Sequence, residues 1–290
     1  MLYHLLLNTL VIGSGYGLMA MAFRLMYSVS PFFNMTLGTI AVLGSYLAYW
    51  LLSLSVPLSI TIALTLIITA IFSGFLEICI YTPMRRRHSS AMILMVASLG
   101  IYTMFEALIL LICGPQYQNL QTVFPLKETN AIFLGITSVQ LLTVIANLLI
   151  FIFLNYFLHH TFIGKEIRAI NNSPTLADII GLKNNQIIFT VSLLAGLILG
   201  LDGILLGFDT GMEPTMGFNL LFKGMIAAII GGLASLRGAF LGALLLALAE
   251  NLGVMLFSSE WRDPTAFVIF IMLLSLRPQG IFQSSVSVNR

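Results

Sequence analysis

Charge is what this chain has least of. Only 8% of its 290 residues are Asp, Glu, Lys or Arg, 13 basic and 11 acidic, against about 25% in a soluble domain. So few charges do not cover a soluble surface of this size. Cysteine is equally scarce, with Cys79 and Cys113 alone, which excludes a disulfide scaffold. The two fall at opposite ends of neighbouring apolar runs, too far apart to bridge, and are expected to be inert, buried thiols. Glycine (24) and proline (9) are unexceptional, so collagenous and low-complexity classes fail as well. What is abundant is apolar: 59% of residues, with a mean hydropathy of +1.01. A polytopic membrane protein remains.

A helix needs about 20 predominantly apolar residues to cross the hydrocarbon. The apolar runs lack the period-2 alternation of a barrel strand, so the expected fold is all-α, a polytopic membrane helix bundle. Candidate spans are Leu2–Phe23, Pro31–Leu52, Pro57–Ile80, Ala91–Cys113, Ala131–Leu158, Ile187–Gly207, Phe218–Leu233, Ala239–Phe257 and Thr265–Leu276. Phe218–Leu233 and Thr265–Leu276 are short, so about 8–9 spans are expected, with one or more short or broken. The first run has no basic region before it and no small-residue cleavage site after it, and reads as a retained helix. Lys and Arg accumulate in short cytoplasmic loops. An N-terminus outside and a C-terminus in the cytoplasm place Arg24, Arg85, Arg86, Arg87, Lys165, Arg168, Lys183, Arg237, Arg277 and Arg290 inside. Lys127, Lys223 and Arg262 stay outside. No composition shift divides residues 1–290, which read as a single transmembrane domain.

Small residues recur at helical spacing: Ser192, Gly196, Gly200, Gly203 and Gly207, then Gly238, Gly242, Ala249 and Gly253, with Gly13 and Gly17 in the first span. Such stripes let helix backbones approach closely in lipid. Carboxylates at membrane depth are costly and therefore functional candidates. Glu77 lies near Arg85–Arg87 and is expected to form an interfacial ion pair. Glu106, Asp202 and Glu250 lie deeper without sequence-local partners. They would serve either as ion sites of a secondary transporter or as hydrogen-bonding groups between helices. Asn34-Met-Thr-Leu-Gly38 follows Ser30-Pro31. Proline disfavours helix at the residue before it, and Asn and Thr bond the local backbone. Asn34, Thr36 and Gly38 are thus candidates to line a translocation pathway, an ordinary helix start being the alternative.

The polar stretch His159–Gln186 contains a short helix with both ends marked. Ser173 caps, Pro174 suits the first turn, and Gly181 terminates with Lys183 beyond. Its Leu176, Ile179 and Ile180 would form a knob for a partner protein or lie on the membrane surface. Motifs for covalent chemistry are absent: no Walker loop, no H-E-x-x-H and no G-x-S-x-G. His159-His160 has no further ligand at metal spacing.

The ordered motifs resemble the permease subunits of ABC importers for branched-chain amino acids, the high-affinity leucine/isoleucine/valine class. The resemblance covers nearly the whole length. It rests on Asn34-Met-Thr-Leu-Gly38 with Gly44-Ser-Tyr46, on Glu77 through Pro83-Met-Arg85, and on Gly114-Pro115 with Phe124-Pro125. Further segments are Thr161, Gly164, Arg168, Ala169, Ala177, Gly181 and Leu182, then Gly231-Gly-Leu233 with Gly238-Ala239, Gly242 and Glu250. Arg277-Pro-Gln-Gly-Ile-Phe282 closes the set. Leu37, Ala234, Arg237 and Asp202 depart from the family pattern.

The resemblance implies a non-enzymatic translocation subunit, multi-pass in the cell inner (plasma) membrane, importing branched-chain or neutral amino acids. Permeases of this class for urea or short-chain amides are the nearest alternative, and an ion-coupled secondary transporter the one from another class. The implied partners are a second, non-identical permease subunit, two ATP-binding subunits, an extracytoplasmic solute-binding protein and membrane lipid, with no nucleic acid. No cofactor is expected on this chain; ATP and Mg would belong to the partner subunits. The coupling segment, about residues 159–186, would dock on the ATPase through Arg168, Ala169, Ala177, Asp178 and Gly181.

Overall fold

A computed structural model describes residues 2–125, 137–172, 177, 179, 181–233, 235–276, 280 and 281. Eleven helices are built from them: α1 (Leu2–Val29), α2 (Thr36–Ser53), α3 (Leu58–Arg86), α4 (Ala91–Cys113), α5 (Leu120–Val123), α6 (Ser138–His160), α7 (Phe162–Asn172), α8 (Asn184–Asp209), α9 (Met216–Gly231), α10 (Leu236–Leu256) and α11 (Arg262–Leu276). Among the described residues there is no strand, only an isolated bridge between Gln118 and Met212. Helix starts follow local chemistry. Ser90 accepts from the Ile93 N–H, Thr137 and Gln140 form a capping box, and Ser235 accepts from the Gly238 N–H at 2.8 Å, each satisfying a terminal donor.

Seven helices, α1, α2, α3, α4, α6, α8 and α10, are long and apolar enough to cross a membrane. The eight to nine spans expected from the sequence are not reached among the described residues, where seven helices have that length and apolarity. Of the two short candidates, α9 has 16 residues and α11 has 15, below the length that spans about 30 Å of hydrocarbon at 1.5 Å per residue. The third candidate span was also expected to end at Ile80, yet its helix continues to Arg86. A π-helical turn, Glu77–Tyr81, precedes Pro83 and shifts the register where proline has no N–H for the ladder.

Helices α1, α2 and α8 are the most enclosed, while α4 and α6 leave most of their surface uncovered. The core joins Leu18–Met26 of α1 to Val191, Ala195 and Leu199 of α8, Ala227 of α9 and Ala243 of α10. The glycine stripes lie at these crossings. A methyl group on Gly203 would meet the Ala41 carbonyl oxygen, and one on Gly242 the Ala227 carbonyl oxygen. Packing is therefore backbone to backbone, the arrangement that holds helices together where lipid supplies no hydrophobic drive. Gly203→Val is expected to lower the thermal midpoint of the detergent-solubilised chain, an overpacking cost of about 1–3 kcal/mol. Gly100→Val, with nothing within 4 Å of its added carbon among the described residues, is expected to leave it unchanged; melting followed by size-exclusion fluorescence compares them.

The cysteines correct one expectation. Both are free, but Cys79 is exposed and Cys113 half-buried, because each lies on an outward face of its helix. Lys127, Ser173, Pro174, Leu176, Asp178, Ile180, Ala234, Arg277, Pro278, Gln279, Phe282 and Arg290, and residues 131–136 of the fifth candidate span, lie outside the described residues.

Candidate functional site

The chain leaves helical geometry between Val29 and Thr36, and Ser30, Phe32 and Asn34 of the break are buried while Pro31 is exposed. Asn34, 4% exposed, organises it. Its Oδ1 accepts from the Thr36 N–H at 3.1 Å, the Thr36 hydroxyl at 2.6 Å and the Tyr81 hydroxyl at 3.1 Å. The Ser98 hydroxyl of α4 accepts from the Met35 N–H at 3.0 Å. Every one of these bonds satisfies a polar group that lipid would leave unmatched. Gly38 packs against the Gly217 carbonyl oxygen at the start of α9. Asn34 and Thr36 are thus brought together, with Gly38 two residues further along α2. Tyr81 and Ser98 complete the cluster and were not anticipated: an isolated Tyr or Ser in an apolar run carries no local signal.

Below this break, Glu77 and Arg85 form the expected ion pair, with Thr82 donating to the same Glu77 oxygen at 3.1 Å and Arg85 donating to Ser30 Oγ at 3.2 Å. Arg85 and Pro31 border an open cavity of about 700 Å³, together with Val29, Arg86 and the Leu182–Gln186 segment. Arg24, Arg168 and Arg237 surround a second cavity beside His159. One end of the bundle therefore gathers six of the basic residues that the sequence assigns to the inside.

The segment leading into α8 carries the predicted helix end. Ala177 and Ile179 are helical, Gly181 has φ +85°, and the Leu182 N–H donates to the Ala177 carbonyl at 3.0 Å. This is the bond pattern of a Schellman C-cap. Ala177 is 1% exposed within the chain's own core, so it anchors the segment. Arg168 is exposed on α7 and Ala169 half-buried.

The deep carboxylates separate into three environments. Glu250 is fully buried, its Oε1 lying 3.2 Å from Lys223 Nζ and its Oε2 accepting from the Tyr16 hydroxyl at 2.9 Å. Lys223 also donates to Tyr16 Oη at 3.0 Å and pairs with Asp263 at 2.8 Å. Lys223, which the sequence reading counts on the outer side and within the short candidate Phe218–Leu233, lies in the middle of α9, where Glu250, Asp263 and Tyr16 engage it. Glu106 stands half-buried one turn from Tyr102. Asp202 is fully buried, and neither of its carboxylate oxygens meets a hydrogen-bond partner among the described residues.

Motifs distant in the sequence also meet. Gly280 approaches Gly232, and the Ile281 N–H donates to the Ile230 carbonyl at 2.9 Å. Gly280 and Ile281 thereby seat on the α9–α10 turn. A family model described as branched-chain amino acid transport system / permease component matches residues 5–276.

The chain belongs to this permease family.

The high-affinity branched-chain amino acid transport system permease protein BraD of Pseudomonas aeruginosa is 28% identical over 297 residues, covering 97% of this chain and 96% of the relative. The corresponding protein LivH of Escherichia coli K12 is 25% identical over 289 residues, with coverages of 94% and 93%. A probable branched-chain amino acid transport permease protein LivH of Methanocaldococcus jannaschii is 25% identical over 266 residues, with coverages of 89% and 82%. No solved structure matches the chain significantly. The permease is a transport component, and seven helices among the described residues are membrane-capable. The segments on which the sequence resemblance rests include the α1–α2 break, the π turn, the segment before α8 and the α9–α10 turn.

Proposed function

We propose that this permease is one translocation subunit of an ATP-binding-cassette importer that moves branched-chain or neutral amino acids. The observation that carries the reading is the family match over residues 5–276. A second, non-identical permease subunit completes the path, and two ATP-binding subunits holding ATP and Mg dock beneath it. An extracytoplasmic binding protein delivers the solute to the inner membrane. The bundle end rich in Arg and Lys faces the cytoplasm by the positive-inside rule, with the N-terminus outside. ATP drives alternating access because it binds one global state better than the other. Asn34, Thr36 and Gly38 belong to the pathway, at a break whose buried backbone is tolerated only against protein or a cavity. Arg168, Ala169, Ala177, Asp178 and Gly181 transmit the motion, Ala177 and Gly181 by holding the shape of the coupling segment.

Purification in mild detergent from the native membrane, with mass spectrometry of what co-elutes, tests the assembly. Recovery of an ATPase with Walker motifs and a second permease is expected. Recovery of the chain alone, with leucine uptake that follows an ion gradient, would replace this reading with ion coupling at Asp202. Asn34→Ala is expected to lower leucine uptake about 10-fold at unchanged membrane level, because it strips one acceptor from three donors. Uptake matching the parent would remove Asn34 from the pathway.

A further inference from the structure

Helices α4 and α6 both leave most of their surface uncovered, yet the two uncovered faces differ in chemistry. From Leu141 to Phe153 every exposed residue of α6 is Leu, Ile or Phe, a face suited to acyl chains. On α4, Gly100, Thr103 and Ala107 are exposed and Glu106 is half-buried, with Val96 and Leu99 among them. At about 3.6 residues per turn these positions share one side of the helix. It is the side next to Tyr102, whose ring lies 6.2 Å from that of Phe218 on α9. The other edge of α4, where Phe105 meets Phe72 of α3 at 4.9 Å, leads to Ile93, Met104, Leu108 and Leu111, all large and exposed.

Two features of the α9 side do not suit lipid. Glu106 lies about 10 Å from the nearer end of α4, within a 23-residue span. It stands beside the Tyr102 hydroxyl and forms no ion pair among the described residues. A carboxylate at that depth faces protein or water rather than hydrocarbon. Gly100 has nothing within 4 Å of an added Cβ among the described residues, and small side chains on an open helix face let a second helix approach closely. Beside them the rings continue across α9 to α11, with Phe218 at 6.0 Å from Phe222 and Phe222 at 5.1 Å from Phe267. Phe218, Asn219 and Phe267 are exposed. Aromatic anchors thus adjoin the small-residue side, as at the centres of protein interfaces.

We propose that this side of α4, with Phe218 and Asn219 of α9, receives the second, non-identical permease subunit. A helix of that subunit crosses α4 at Gly100 and brings a Lys, Arg or other hydrogen-bond donor to Glu106. This interface rests on the two-permease assembly proposed above, to which it adds a location and a charge. A second copy of this chain fits less well, because a two-fold contact on this side sets Glu106 against Glu106 with no cation between them.

The full transporter in mild detergent, with a photo-reactive benzophenone amino acid replacing Thr103 or Ile145, reads the contact by mass spectrometry of the cross-linked bands. The residue at position 103 is expected to join the second permease, and the one at position 145, on the lipid-like face of α6, is not. Gly100→Val is expected to lower co-purification of that subunit about 10-fold, while the thermal midpoint of the isolated chain stays unchanged. Glu106→Lys is expected to lower it about 30-fold, because it sets a cation against the partner's donor. No cross-link to the second permease from position 103, in a preparation that contains that subunit, overturns the proposal and leaves the assembly standing. So does undiminished co-purification in both variants. A cross-link from position 103 to a second copy of this chain overturns it in favour of a contact between identical subunits. A parent chain that recovers no second permease removes the assembly, and this interface with it.

Discussion

Lys223→Ala is expected to remove most of the folded permease from the membrane, and the double substitution Lys223→Met with Glu250→Leu is expected to restore it. Lys223 and Glu250 face each other across α9 and α10, with Tyr16 of α1 bonded to both. Removing the lysine leaves a fully buried carboxylate with a single hydroxyl donor. Breaking a buried pair costs about 3–5 kcal/mol, a large part of the about 5–15 kcal/mol that holds a typical domain folded. Replacing both partners with apolar side chains removes the uncompensated charge, and such exchanges are often neutral or stabilising. Detergent-resistant folded fraction and membrane abundance, measured for the single and double variants, decide the matter. The double variant is also expected to keep leucine uptake, since the pair serves to join α1, α9 and α10. A double variant that folds but carries no solute would make Glu250 part of the translocation chemistry.

Gly181→Pro is expected to reduce uptake to background while leaving the permease in the membrane. Proline fixes φ near −65°, whereas Gly181 sits at +85°, so the turn cannot form and the Leu182–Ala177 bond that closes the helix is lost. Among the described residues nothing lies within 4 Å of a Cβ added at Gly181, so the expected loss follows from the conformation at +85°. Gly181→Ala should therefore be intermediate, strained by about 1–2 kcal/mol, and Gly181→Asn milder, because asparagine visits the left-handed region more readily. Uptake measured beside ATPase co-purification separates the outcomes: loss of both is expected for proline, with the order Gly, Asn, Ala, Pro along the series. Ala177→Asp should resemble proline, since it drives a carboxylate into a position that is 1% exposed. Full uptake in Gly181→Pro would remove the coupling role from this segment.

Local chemistry accounts for the parts that were legible. Glu77 found Arg85 because they lie eight residues apart on one continuous helix. Gly181 was recognisable as a helix end because glycine before a basic residue marks a C-cap. The small-residue stripes announced close helix packing, and Gly203, Gly238 and Gly242 now touch backbone. Other features left no local trace. The Tyr16–Glu250 bond joins residues 234 positions apart, and nothing near Lys223 in the short run Phe218–Leu233 names Glu250 or Tyr16 as its partner. Tyr81 reaches Asn34 from a π turn that no hydrophobic period reveals.

Composition and motif order by themselves determined that this is a polytopic helical membrane protein and a member of one permease family. Apolar length is a property of each segment alone, and six ordered motifs do not require knowing which helices touch. Only the tertiary structure decided which polar groups share an environment. It paired Lys223 with Glu250, left Asp202 without a hydrogen-bond partner among the described residues, enclosed Asn34 between Thr36 and Tyr81, and drew Arg24, Arg168 and Arg237 around one cavity. The physical reason is that lipid leaves each buried polar group to find its partner on another helix, and helix crossings are set by packing across the whole bundle.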